Sequence, residues 1–68
     1  MDIKLLLGKR VKELRNKLHI SQEELADRAR LDRTYITGVE RGRRNISIVN
    51  IEKLAVALNI SLKDFFDF

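Results

Sequence analysis

Apolar residues recur at three- and four-residue intervals along almost the whole chain, which is the period of an amphipathic helix. The first series consists of Ile3, Leu7, Val11, Leu14 and Leu18. It predicts a helix from about Asp2 to Leu18, with lysines and arginines on the remaining faces. No strand-like alternation, internal repeat, linker or low-complexity segment interrupts the pattern, so the sequence predicts an all-α fold.

A capping signal precedes the second predicted helix. Ser21 is a residue type that caps helix N-termini, and Glu24 follows three residues later, which is the spacing of a capping box. The inner face of this helix is expected to contain Leu25, Ala26 and Ala29. Asp32 is expected to cap a third helix that runs to Arg41.

Two further helices follow. Gly42 stands where a helix commonly ends in a left-handed residue. Ser47 is expected to cap a fourth helix, Ile48–Leu58, and Ser61 a last short one. The residues expected to face inward in the fourth helix are Ile48, Ile51, Leu54, Ala55 and Leu58. The last helix carries Leu62, Phe65 and Phe66.

Composition restricts the chemistry available to this chain. Its 68 residues predict one domain, residues 1–68. There is no cysteine and only one histidine, His19, so we expect no disulfide, no metal site and no cofactor. We see no signal peptide and no apolar run near the roughly 20 residues of a membrane span, which predicts a cytoplasmic protein without a membrane partner.

Basic charge is concentrated in the first two thirds of the chain. Residues 1–44 hold twelve Lys and Arg against seven Asp and Glu, whereas residues 45–68 hold two against three. This segregation favours an anionic partner for the first part. Many small soluble domains are mildly basic, so charge alone leaves nucleic acid and simple solubility open.

The third predicted helix has one apolar and one polar face. At about 100° per residue, Ile36 and Val39 point inward. The opposite side carries Thr34, Thr37, Gly38 and Arg41, with Arg33 and Tyr35 at its edges. Small polar residues beside an arginine allow a helix to enter the DNA major groove, where arginine can contact guanine and threonine a base edge. The alternative is an ordinary solvated face.

Polar residues on both sides of this helix suit phosphate binding. Gln22 opens the second helix, whose N-terminal amides favour an anion. Arg43, Arg44 and Asn45 directly follow the third helix, and such contacts position a protein on DNA without reading sequence. Simple solubility is the alternative for this loop.

The chain strongly resembles the helix-turn-helix family of the phage Cro and repressor proteins. The resemblance rests on Ser21–Ala26 (SQEELA), Tyr35–Ile36 and Glu40–Gly42, and covers essentially the whole chain. Within that family, Leu31–Ile36 (LDRTYI), Glu40–Arg41 and Arg44–Asn45 look most like the controller proteins of restriction–modification systems. The resemblance implies a five-helix, lambda-repressor-like DNA-binding domain, with the helix-turn-helix at the second and third helices.

The resemblance also implies roles for matching positions. Base-reading residues would be Arg33, Thr34, Tyr35 and Thr37, and phosphate-binding residues would be Gln22, Arg43, Arg44, Asn45 and Ser47. Arg15 and Glu40 match a family pair that forms an internal salt bridge between the first and third helices. Two positions depart from the family pattern: Arg30 stands where glycine is usual, and Ile46 where proline is common.

Three phenylalanines, Phe65, Phe66 and Phe68, crowd the last four positions. So small a monomer would struggle to bury them all, and the remainder would form an interface. The resemblance implies a homodimer that pairs through the last two helices. The expected interface residues are Leu58, Ile60, Leu62, Phe65 and Phe66.

These features predict a sequence-specific transcription regulator that binds a palindromic operator in double-stranded DNA as a homodimer. The controller resemblance implies both activation and autorepression, with RNA polymerase contacted through acidic Glu23, Glu24 and Asp27, which could equally be solvated. The alternative is an antitoxin or adaptor that kept the helix-turn-helix shape for protein contacts. We expect no enzyme, because no phosphate loop and no nucleophile with a base is recognisable.

Overall fold

The computed structural model describes residues 2–68, which form five helices and no strand. The helices are α1 (Ile3–Lys17), α2 (Gln22–Ala29), α3 (Arg33–Glu40), α4 (Ile48–Ala57) and α5 (Leu62–Phe65). The predicted all-α fold is confirmed. The predicted bounds of α1, α3 and α4 differ from these only because they included cap residues, such as Leu18 and Arg41. No helix within residues 2–68 has the length and apolar character that a membrane crossing requires.

Serine side chains cap three of the helices, as the sequence predicts. The hydroxyls of Ser21, Ser47 and Ser61 each accept a backbone N–H three residues later, at 3.0 to 3.1 Å. The reciprocal half of the expected capping box is absent from the described contacts. The carboxylate of Glu24 accepts instead from Arg28, one turn further along, at 2.6 Å. Asp32 occupies the N-cap position of α3, but its side chain makes no capping hydrogen bond.

All four turns between helices close through a residue with positive φ. These residues are His19, Arg30, Gly42 and Asn59, with φ between 56° and 71°. The next residue then donates its N–H to a carbonyl five positions back, as Leu31 does to Ala26 at 2.9 Å. Only Gly42 among these four is a glycine, which adopts this conformation without steric cost. Arg30 has a Cβ, so the left-handed conformation costs about 1–2 kcal/mol there.

The core lies where the middle turns of the helices meet. Its members include Val11 of α1, Leu25 of α2, Ile36 of α3 and Leu54 of α4, all fully buried. Ile48 was expected to face inward but is exposed, and so are Ile3 and Leu18 of the first apolar series. Ile3 and Ile48 are the first residues of α1 and α4, and Leu18 is the C-cap residue of α1.

The short helix α5 is held by one buried aromatic side chain and by an arginine of α1. Phe65 is 0% exposed in the core, and Arg10 of α1 donates to the backbone carbonyls of Phe65 and Asp64 at 3.0 and 2.6 Å. Leu58 is only 4% exposed. Phe65 and Leu58 were expected in a dimer interface, and this expectation is corrected because both are already enclosed within one chain.

Candidate nucleic-acid interface

One side of α3 is buried against the core, and the other faces solvent. Ile36 and Val39 are buried as expected, whereas Arg33, Thr34 and Arg41 are exposed. The N-termini of α2 and α3 enclose a polar cleft of about 330 Å³, whose lining includes Gln22, Arg33 and Arg15. The structure therefore brings Gln22 and Arg33, predicted from separate helices, to one surface.

A largely buried ion pair fixes α3 to α1 directly behind this surface. Arg15 Nε donates to Glu40 Oε2 at 2.7 Å, and its Nη2 donates to Glu40 Oε1 at 3.0 Å. Its third group, Nη1, donates to the carbonyl of Ile20 at 2.9 Å. The two side chains are only 12% and 4% exposed. The hydrogen bond to Glu40 raises the pKa of Arg15, and the charge of Glu40 adds to this, while burial opposes it.

Two of the predicted DNA-contacting residues are joined to that ion pair. Gln22 Nε2 donates to Glu40 Oε1 at 3.0 Å, and the hydroxyl of Thr37 lies 2.9 Å from Gln22 Oε1. Hydrogen bonds thus run without a gap from Arg15 through Glu40 and Gln22 to Thr37. Both Gln22 and Thr37 are half-buried, so their orientation is set before any ligand arrives.

Tyr35 is held by contacts of a different kind. Its ring packs against the core, and its hydroxyl accepts a hydrogen bond from Asn50 Nδ2 of α4 at 3.1 Å. The guanidinium carbon of Arg44 lies 5.2 Å from the ring centroid, within cation–π range. Gly38 leaves room for this arrangement, because a Cβ there would lie 3.0 Å from Cγ of Arg44.

The segment that follows α3 exposes most of its polar side chains. Arg43, Arg44 and Asn45 are exposed, and Ser47 next to them accepts the N–H of Asn50. Sequence reasoning missed Asn50 as a neighbour of Tyr35. The only signal in the sequence was an amide at the start of the fourth helix, and its partner lies 15 residues earlier.

Comparisons with known proteins agree with this geometry. A model of the helix-turn-helix family matches residues 11–65. Control protein C.BamHI of Bacillus amyloliquefaciens is 48% identical over 68 residues, which cover 98% of this chain and 84% of that protein. The crystal structure of the restriction-modification controller protein C.AhdI from Aeromonas hydrophila has a TM-score of 0.93 at 48% identity, with 97% of this chain and 100% of that chain covered.

A third similar structure is that of the controller protein C.Esp1396I, solved as a tetramer in complex with its natural 35-base-pair operator. Its TM-score is 0.92 at 34% identity, and the match covers 98% of this chain and 88% of that chain. The chain therefore belongs to the helix-turn-helix family of transcription regulators and, within it, to the controller proteins of restriction–modification systems.

Proposed function

We propose that this protein regulates transcription by binding a palindromic operator as a homodimer, with α3 of each subunit in the major groove. The observation that carries the proposal is the composition of one surface. Exposed Arg33 and Thr34 on α3 lie beside the N-terminus of α2, and a segment with two exposed arginines, Arg43 and Arg44, follows α3 directly. A helix with this face and these flanks suits direct readout of bases between phosphate contacts.

Base contacts are assigned to Arg33, Thr34, Tyr35 and Thr37. Arg33 carries no side-chain hydrogen bond among the described contacts, so its planar guanidinium is free to bind guanine O6 and N7. Similar structures of C.Esp1396I include variants of three consecutive residues, an arginine, a threonine and a tyrosine. This chain has the same residue types in the same order at Arg33–Tyr35.

Phosphate contacts are assigned to Gln22, Arg43, Arg44, Asn45 and Ser47. Gln22 uses one N–H of its amide on Glu40, which leaves the second N–H and the backbone amides of the first turn of α2 for a phosphate. Ser47 accepts at its hydroxyl oxygen and keeps its proton for donation. Such contacts give affinity and register and make binding strongly salt-dependent.

The dimer surface is assigned to the exposed apolar side of α4 and α5. Val49 and Val56 lie seven residues apart on one face of α4 and are 58% and 74% exposed. Leu62 and Phe66 of the original prediction are also exposed, and Ile60 is half-buried. Exposed valines on a helix contribute nothing to the monomer core, so a second copy is the partner that this surface fits.

Activation is assigned to a contact between RNA polymerase and α2, and autorepression to a second dimer on the promoter. Glu23 and Asp27 are exposed on α2, whereas Glu24 is paired with Arg28. The regulator would act in the cytoplasm, on an operator upstream of its own gene and of an endonuclease gene.

The experiment that tests this proposal is selection of binding sites from a randomised duplex library at near-physiological salt. We expect a palindrome whose half-sites lie about one helical turn, roughly 34–36 Å, apart. Recovery of no motif, with binding lost as salt rises, would leave only general phosphate affinity and would favour the antitoxin or adaptor function instead.

A further inference from the structure

The hydroxyl of Thr37 lies between two groups that can only accept hydrogen bonds. Its Oγ1 is 2.9 Å from the amide oxygen of Gln22 and 3.2 Å from the backbone carbonyl oxygen of Arg33. A hydroxyl has one proton to donate and two lone pairs to offer. The proton of Thr37 is therefore committed inside the protein, whichever of the two acceptors it uses.

The orientation of Gln22 follows from the charge of Glu40. An ionised carboxylate accepts only, so the amide of Gln22 must turn its NH₂ group towards Glu40 Oε1, at 3.0 Å. Its oxygen then faces Thr37. The two oxygens of Glu40 are already held by Arg15, and the 4% exposure of Glu40 leaves the carboxylate no alternative partner in solvent.

Thr37 can consequently accept a hydrogen bond from a ligand but cannot donate one. Its outward lone pairs and its methyl group remain available, whereas its proton does not. Thr34, on the same helix, is exposed and has no side-chain hydrogen bond among the described contacts, so it can donate or accept. The two threonines of α3 thus differ in hydrogen-bonding character although their chemistry is identical.

We infer that Thr37 reads its base pair as a hydrogen-bond acceptor, and selects the exocyclic amine of adenine or cytosine on the strand that it faces. Glu40 is the positioning residue that imposes this polarity through Gln22. The major groove presents these amines as N6 of adenine and N4 of cytosine, whereas guanine and thymine present oxygens there. This inference rests on the proposed function, because it needs α3 in the groove.

The first test removes the exocyclic amine of the base and the hydroxyl of Thr37 separately. Site selection with the parent identifies the operator, and selection with Thr37→Val identifies the base pair whose preference changes. Synthetic operators then carry purine for adenine, or 2-pyrimidinone for cytosine, at that base, which removes only the amine. We expect this deletion to weaken binding of the parent and of Thr37→Ser about two- to tenfold per half-site, and to leave binding of Thr37→Val unchanged.

The second test reverses the direction of the hydrogen bond between Gln22 and Thr37. In Glu40→Gln the new amide can donate to Gln22, so Gln22 can turn over and donate to Thr37. That hydrogen bond occupies a lone pair of Thr37 that the base amine would otherwise use, while the proton of Thr37 keeps only the longer hydrogen bond to the carbonyl oxygen of Arg33. We expect the effect of amine deletion to fall to less than half of its value in the parent. Glu13→Gln is the matched control, because it also removes one carboxylate from an arginine pair on α1 and should keep the parent's response. Circular dichroism verifies that each variant is folded.

The outcomes separate the two hypotheses. An equal loss from amine deletion in the parent and in Thr37→Val would overturn the acceptor role, and so would a selected operator that is the same for both proteins. An unchanged response in a folded Glu40→Gln variant would overturn the positioning role of Glu40. Recovery of no motif by the parent would overturn the proposed function itself, and this inference with it.

Discussion

The two surfaces proposed here for DNA and for the second subunit are built in opposite ways. The surface around α3 consists of polar side chains, and the Arg15–Glu40 ion pair holds two of them, Gln22 and Thr37, in one orientation. The surface of α4 and α5 exposes Val49, Val56 and Phe66, which form no polar contact that would orient them. The first surface is therefore preorganised, whereas the second offers exposed apolar area that the proposed dimer would cover.

The difference corresponds to what each surface has to recognise. Reading a base edge requires donors and acceptors at defined positions, and a satisfied network supplies these without further ordering on binding. Pairing with an identical copy requires mainly apolar area and shape, since a two-fold contact repeats the same surface on both sides. Substitutions should therefore act on the two surfaces by different mechanisms.

The largest effect is expected from Glu40→Ala. It leaves the guanidinium of Arg15, which is only 12% exposed, without its carboxylate, and removal of one partner of such a pair costs up to about 3–5 kcal/mol of unfolding free energy. Urea denaturation followed by circular dichroism measures the loss. Glu24→Ala is the control, because the Glu24–Arg28 pair is exposed and is worth about 1 kcal/mol or less. Equal losses for both variants would contradict the preorganised network.

This loss should not depend on pH near neutrality. The pKa of Arg15 is raised in the folded state, so its stabilising contribution is complete below the unfolded-state pKa and is lost only as pH rises through the higher folded-state pKa. Both values lie far above neutral pH. The difference in unfolding free energy between the parent and Glu40→Ala, measured by urea denaturation, should therefore be the same at neutral and mildly alkaline pH.

The next largest effect is expected from Val56→Glu, which breaks the apolar surface. Val56 is highly exposed in the monomer, so folding is spared, but a dimer would enclose two unpaired carboxylates. We expect the dimer dissociation constant to rise roughly a hundredfold, measured by sedimentation equilibrium. Val56→Ile should leave it within a few-fold of the parent. A dimer of undiminished stability in Val56→Glu would place the interface elsewhere.

Smaller effects are expected from residues of the polar surface, and they distinguish base contacts from phosphate contacts. Arg33→Ala should cost about 1–3 kcal/mol on the preferred operator and relax the base preference at one position. Arg43→Ala should instead weaken binding to all sequences by a similar factor and lower the salt slope by about 1. Titrations on operator and unrelated duplexes at several salt concentrations measure both. If each variant bound the operator as tightly as the parent, the contact assignment would be wrong.

The sequence predicted the helices well because their signals are local. Apolar spacing identified the buried faces of α2 and α3, and Ser21, Ser47 and Ser61 marked three helix starts. Exposure at the helix ends could not be predicted, because periodicity does not say how far the neighbouring helix extends; Ile48 is an example. The hydrogen bonds of Gln22 to Thr37 and Glu40 also escaped prediction, since they join residues 15 and 18 positions apart.

The smallest effect concerns Arg30, the one departure from the family pattern inside the helix-turn-helix. Its φ of 56° is strained for arginine but not for glycine. Arg30→Gly should therefore raise the unfolding free energy by about 1 kcal/mol, after the greater conformational entropy of glycine in the unfolded chain has offset part of the gain. Asn59→Gly is the matched control. Asn59 has a φ of 57°, but asparagine tolerates this conformation, so its replacement should gain less. A stability gain for Arg30→Gly accompanied by weaker binding to every duplex would mean that arginine is retained there for a phosphate contact, which would add the turn itself to the polar surface.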